Sequence, residues 1–232
     1  IYNPDQYIKS NLEGFSNIIE GSKLINVKHL IYASSSSVYG SSKRMPLKEI
    51  DTTDKPVSLY AATKKSNELM AFTLSNMFKI PTTGLRLFTV YGPFGRPDMS
   101  PSLFVNSIKK NKKINVFNHG KHTRDFTYID DAVSAIMLIL KKAPSKKNLF
   151  KIFNIGSDNP IKLKLFIKII EDIFNKKFKI KYMPIQKGDV KDTHADISQI
   201  KKYTKFKPRV PIREGMRKFI DWHNKYYSTD YK

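Results

Sequence analysis

"VKHLIYASS", residues 27–35, is a short apolar run around Leu30, Ile31 and Tyr32 that ends in small polar residues. That is the pattern of a strand buried on both faces of a parallel sheet. On its N-terminal side, Ile8, Leu12, Phe15, Ile18, Ile19 and Leu24 repeat with a helical period over residues 5–26. On its C-terminal side, residues 36–57 carry Gly40, Pro46 and Pro56 and read as loop. A helix is predicted from Tyr60 to Phe78, closed by a turn at Pro81. "TTGLRLFTVYGP" (82–93) then reads as a second strand, broken by Gly92 and Pro93. Residues 1–93 therefore alternate helix, strand, helix, strand, the repeating unit of a doubly wound α/β sheet. Beyond them the pattern loosens. Helices are expected near 101–111, 130–142, 161–175 and 212–227, and strands near 114–117, in "RDFTYI", in "FKIFNIG" and near 178–183.

The chain of 232 residues is long enough for a real core, and 40% hydrophobic with 12% aromatic content is globular. Its net charge of +22 raises the question of nucleic acid. However, 35 of the 42 basic residues are Lys, scattered in ones and twos with no Cys/His spacing or RNA-binding signature beside them. The charge reads as a solvated basic surface that attracts small anions, not as a nucleic-acid interface. Without cysteine the chain has no disulfide, no thiolate metal site and no cysteine nucleophile. The five histidines (29, 119, 122, 194, 223) show no metal spacing and read as structural, so no metal site is expected. The longest apolar run, Ala135–Leu140, is far below the roughly 18 residues a membrane span needs. The expected location is the cytoplasm. Because the chain opens at Ile1 directly on an amphipathic helix, it is expected to lack its N-terminal part.

In an open α/β sheet, ligands bind outside the carboxyl ends of the strands. The polar stretches "SSSS" (34–37) and "TVYGPFGR" (89–96) follow directly on the two strands, at those ends. In "SLYAATKKSNELMA" (58–71), Tyr60 and Lys64 are four residues apart, so they share one face of a helix. Lys65 points about 100° away and is expected on the surface.

"YASSSSVYG", "YAATK" starting 25 residues after Ser35, "LRLFTVYGPFGRPDM" and "RDFTYIDD", in that order, resemble the extended short-chain dehydrogenase/reductase family over essentially the whole chain. Within that family the sequence is most similar to the nucleotide-sugar epimerases, and to UDP-glucuronate 4-epimerases above all. The resemblance implies the C-terminal part of a Rossmann-type sheet plus a smaller mixed α/β substrate-binding domain. Residues 1–93, with a return near 124–156, would belong to the NAD-binding domain, and residues 94–232 mainly to the UDP-sugar-binding domain. It also implies a homodimer built through the helix that carries Tyr60.

The family mechanism removes a proton from a sugar hydroxyl while its carbon gives a hydride to NAD. A phenol ionises near pH 10 in water, and a neighbouring ammonium and the charged nicotinamide ring favour the phenolate. Tyr60 is thus the implied base, Lys64 its electrostatic partner and a ribose contact, and Ser35 the hydroxyl that aligns the sugar oxygen. Phe88, Val90 and Asn11 match positions near the cofactor. Relatives that eliminate water carry acids where Ser36 and Ser37 stand, and serine cannot act as an acid or base near neutral pH. Thr89 and Arg96 match residues that hold the sugar carboxylate, a natural partner for a guanidinium fork. Asn118 falls in the segment against the uracil, Arg124 matches the diphosphate-gripping arginine, and Asp189 matches an aspartate near the nucleotide ribose. Gln186 stands where many relatives place a second arginine.

The family's glycine-rich turn, which receives the dinucleotide pyrophosphate at a helix N-terminus, is not found in this sequence. Residues 1–232 alone are therefore expected to bind NAD weakly and to be inactive. A calorimetric titration giving tight NAD binding would contradict this.

Overall fold

Asn3 opens the first helix: its side-chain oxygen accepts from the Gln6 N–H at 3.4 Å, and Pro4 occupies the first turn. The structure, a computed structural model, describes residues 3–186 and 190–228. Helix α1 (Pro4–Tyr7) runs into a π-helical turn at Ile8–Glu13 and continues as α2 (Gly14–Leu24). The helical period is thus as expected, but one stretch is wound wider. Strand β1 (Leu30–Ser35) follows, and Ser35 caps a 3₁₀ turn at Ser36–Tyr39. Helix α3 (Leu59–Phe78) starts at Ser58, whose Oγ accepts from Ala61 N at 3.2 Å, and ends at Lys79 in the left-handed region.

The apolar stretch 82–93 forms two strands, β2 (Thr82–Leu87) and β3 (Thr89–Tyr91). Phe88 N donates to Ile155 O at 3.0 Å, after which the chain leaves the first sheet. Gly92 turns it at φ 146°, where a Cβ would lie 2.4 Å from Ile129 Cγ2, so only glycine fits. The remaining elements are α4 (Ser100–Lys109), β4 (Lys113–Val116), β5 (Thr123–Tyr128), α5 (Ile129–Leu140), β6 (Phe150–Ile155), β7 (Pro160–Lys162), α6 (Leu163–Phe174), β8 (Lys179–Tyr182), α7 (Ser198–Thr204) and α8 (Ile212–Ser228). Neither β7 nor α7 is foreseen by the hydrophobic pattern.

Strands β1, β2 and β6 form a parallel sheet in that order, with Leu30 opposite Thr82 and Thr82 opposite Phe150. Residues 150–155 thus return to the sheet that β1 and β2 begin. A second sheet pairs β3 with β5 in parallel and β5 with β7 antiparallel, and a third pairs β4 with β8. Two main cores correspond to this division. One gathers Val38, Leu85, Ile139, Phe153, Ile155 and Phe206 around the first sheet. The other gathers Phe104, Phe126, Phe166, Ile170, Met216 and Phe219, with the Phe126 and Phe166 rings stacked at 4.5 Å. Among the described residues, no helix is long and apolar enough to cross a membrane.

Candidate active site

The carboxyl end of β1 turns sharply because its own serines satisfy the backbone. Ser35 Oγ accepts from Ser37 N and donates to Ser37 Oγ, both at 3.1 Å. Ser35 is buried, whereas Ser36 and Ser37 are half-buried. Ala33, one pleat earlier, is exposed. Helix α3 lies against β1 and this turn. Tyr60 and Lys64 are half-buried on it, with Lys64 Nζ 6.0 Å from the Tyr60 ring centroid. Lys64 Nζ donates to Ala33 O at 3.1 Å, which fixes the ammonium at the strand end, two residues before Ser35. Burial lowers the proton affinity of this amine below that of an ordinary lysine.

One turn further along the same face, Glu68 is 2% exposed and holds the site together from beneath. It accepts from Ser34 Oγ at 2.6 Å and from Arg86 Nε and Nη2, both at 2.9 Å. Arg86 is 3% exposed on β2, lies 4.7 Å over the Tyr39 ring and donates to Glu49 O. Burial pushes the Tyr39 phenol up to about 12, against the nearby Arg86 charge, and its hydroxyl donates to Asn154 Oδ1 at 2.7 Å. The network ties α3, β1, β2 and β6 into one unit. Lys65, expected on the surface, is only partly exposed and lies 3.8 Å from Glu68 Oε2, drawn in by that buried carboxylate.

Asn11 sits in the π-helical turn and bonds to α3 instead of standing on an open helix face. Its Nδ2 donates to Thr63 Oγ1 at 2.9 Å, and its carbonyl accepts from Asn67 Nδ2 at 2.6 Å. Tyr7, just before the turn, brings its ring to 5.9 Å from that of Tyr60.

Thr89 and Val90 are half-buried on β3, while the Phe88 side chain is 4% exposed and turned into the core beside Tyr39. Arg96 is exposed in the following loop and paired bidentately with Asp98, at 3.0 Å from Nε and 2.5 Å from Nη2. The bond to Asp98 is the main cause of the raised proton affinity of Arg96, and Tyr7 and Tyr60 contribute in the same direction.

A cleft of about 320 Å³ opens beside this loop, lined by Asp98, Met99, Asn115, Phe117, Arg124 and Gln186 among others. Arg124 Nη1 donates to Lys191 O at 2.8 Å, anchoring one side of the fork. Asn118 is left-handed at φ 47°, and its Nδ2 donates to Lys121 O within its own turn. Asp189 lies outside the described residues. Among those residues, no group of three or more His, Cys, Asp and Glu side chains could hold a metal ion.

The structure thus brings Ser35, Tyr60 and Lys64 to one strand end, leaves Arg96 exposed and paired with Asp98, and places Arg124 in the adjoining cleft. Sequence reasoning missed Tyr7, Glu68 and Arg86. Glu68 carried a signal, since it repeats the Tyr60–Lys64 spacing once more, and a lone Arg within an apolar strand called for a buried partner.

Residues 1–156 match the description "NAD dependent epimerase/dehydratase family". The chain belongs to this family. Its members with similar sequences include Protein CapI of Staphylococcus aureus, 46% identical over 98% of this chain and 72% of that protein. A probable UDP-glucuronate 4-epimerase of Rhizobium meliloti is 39% identical over 97% of this chain and 70% of its own length. The fold is that of a crystallised family member, UDP-glucuronic acid 4-epimerase from Bacillus cereus in complex with UDP-glucuronic acid and NAD. That structure superposes with a TM-score of 0.91 at 31% identity, over 98% of this chain and 71% of that one. Family membership makes the protein an NAD-dependent enzyme of the epimerase class.

Proposed function

We propose that the protein interconverts UDP-glucuronate and UDP-galacturonate by transient oxidation at C4 of the sugar. One juxtaposition carries this reading: Lys64, anchored to Ala33 O, and the Tyr60 ring beside it meet the end of β1, two residues before Ser35. The relatives described as UDP-glucuronate 4-epimerases support the substrate class.

The donors of Lys64 and Tyr60 beside the end of β1 suit the nicotinamide riboside of NAD. Tyr60 and Lys64 would hold that half of the cofactor, with Val90 and the backbone at Phe88 flanking it. When bound, NAD would supply the acceptor, and then the donor, of the C4 hydride. Tyr60 takes the proton from O4 and gives it back after the keto sugar has turned over. Lys64, fixed by Ala33 O, keeps a positive charge beside the phenol. Ser35 donates to the same sugar oxygen and aligns it. Ser36 and Ser37 line the turn without titrating, which suits a reaction at one carbon and not an elimination. In this reading, residues 1–93 and the returning β6 serve the cofactor, and most of residues 94–232 serve the nucleotide sugar. Arg124 grips the diphosphate in the adjoining cleft, and Phe117 and the backbone near Asn118 take the uracil.

Arg96, with Thr89, holds the sugar carboxylate, which replaces Asp98 in the guanidinium fork. This grip also protects the intermediate, because a C4 ketone lies β to the carboxylate and would otherwise tend to lose carbon dioxide. In the product of the complete gene, Arg96→Ala should lower kcat/KM for UDP-glucuronate about 10- to 100-fold, the value of a charged hydrogen-bonded contact. Turnover of UDP-galactose, which has no carboxylate, should change little. Steady-state assays on both sugars decide this, and an equal loss on the two would contradict the uronate assignment.

A further inference from the structure

Tyr60 is the second residue of α3, in the turn where a helix has fewest backbone bonds to stiffen it. Its ring is half-buried on two rotatable bonds, yet proton transfer requires the phenol at a fixed angle. Lys64 flanks the ring at 6.0 Å, and a second neighbour, the tilted Tyr7 ring, is 5.9 Å away with 59° between the planes. That separation and tilt are those of a favourable aromatic pair. The helix that carries Tyr7 is fastened to the helix that carries Tyr60. Within the π-helical turn, Asn11 donates to Thr63 Oγ1 at 2.9 Å and accepts from Asn67 Nδ2 at 2.6 Å. A wide turn alters the local ladder of carbonyls, and here a carbonyl of the turn takes a side-chain donor from α3. The brace is therefore tied directly to the helix that carries the group it braces.

We infer that Tyr7 is a positioning residue for the base of the proposed reaction: its ring, fastened to α3 through Asn11, fixes the angle of the Tyr60 phenol. This rests on the assignment of Tyr60 as base. The contact is made by the ring, so the Tyr7 hydroxyl is not needed for it.

The test uses the product of the complete gene with bound NAD and UDP-glucuronate. Tyr7→Ala and Tyr7→Leu should each lower kcat about 10- to 100-fold, the cost of a misplaced reacting group. KM and NAD affinity should stay within about two-fold, because neither ligand loses a contact. Tyr7→Phe should restore kcat to within about two-fold of the parent. Tyr7→Leu keeps volume in the site, so it decides the question if the alanine variant does not fold. Undiminished kcat in Tyr7→Leu would overturn the inference, and so would a Tyr7→Phe variant as slow as Tyr7→Leu, which would make the hydroxyl the working group. Tyr60→Phe is the control: if it remains active, the assignment of the base has failed, whatever Tyr7 does.

Discussion

Replacing Tyr60 with Phe should lower kcat about 10²- to 10⁴-fold, the usual contribution of a positioned acid–base group. The ring, its contact with Tyr7 and its place over Lys64 all survive the change, since only the hydroxyl is lost. UDP-sugar binding should therefore be little altered, and the loss should fall on turnover. Lys64→Ala should cost a similar factor by a different route. It removes the charge beside the phenol and releases the anchor at Ala33 O, so cofactor affinity should fall along with kcat. Single-turnover and steady-state assays on the product of the complete gene separate these effects. A Tyr60→Phe enzyme with undiminished turnover would contradict the assignment.

The second large effect concerns stability. Glu68 and Arg86 are 2% and 3% exposed and joined by two hydrogen bonds of 2.9 Å. Removing one partner of such a buried pair leaves an uncompensated charge and costs about 3–5 kcal/mol. That is a large share of the roughly 5–15 kcal/mol by which domains are stable. Glu68→Ala should cost this much, because it strands Arg86 and also deprives Ser34 of its acceptor. Replacing both partners with apolar residues, Glu68→Met with Arg86→Leu, should recover much of the loss, since no charge then remains buried. By contrast, Lys177→Ala breaks only the pair with Glu171, whose lysine is 79% exposed, and should scarcely move the unfolding midpoint. Urea unfolding of the three variants checks the order. A Glu68→Ala loss no larger than that of Lys177→Ala would show that the network does not bear on stability.

Much of the first sheet and of the helix face that carries Tyr60 and Lys64 was legible in the sequence. Leu30–Ser35 could be read because a strand buried on both faces is a plain apolar run, and α3 because the Pro81 turn closes it. Tyr60 and Lys64 could be paired because helical geometry fixes where a four-residue spacing points. The split of residues 82–93 was not legible, since both halves are equally apolar. It comes from Phe88 N bonding to Ile155 O and Thr89 pairing with Phe126, both set by residues far along the chain. The π-helical turn left no trace either, because apolar positions on its flanks keep the helical period. Strand β7 has three residues and takes its register only from β5, and α7 is a seven-residue helix whose single buried residue is Ile200. In the site, Arg96 was singled out by the resemblance alone, from its place in the motif after the strand end. Its pairing with Asp98 and the approach of Tyr7 to Tyr60 depend on how the loop and the helices fold back.

The central claim is that one hydride leaves C4 and returns to C4 while Tyr60 moves only the O4 proton. The most direct test is to incubate the product of the complete gene with UDP-glucuronate deuterated at C4, in ordinary water, and to follow the label by NMR and mass spectrometry. The account expects UDP-galacturonate that keeps its deuterium at C4, with no added oxidant required. Product that has exchanged its C4 label for solvent hydrogen, or label lost together with carbon dioxide, would contradict it.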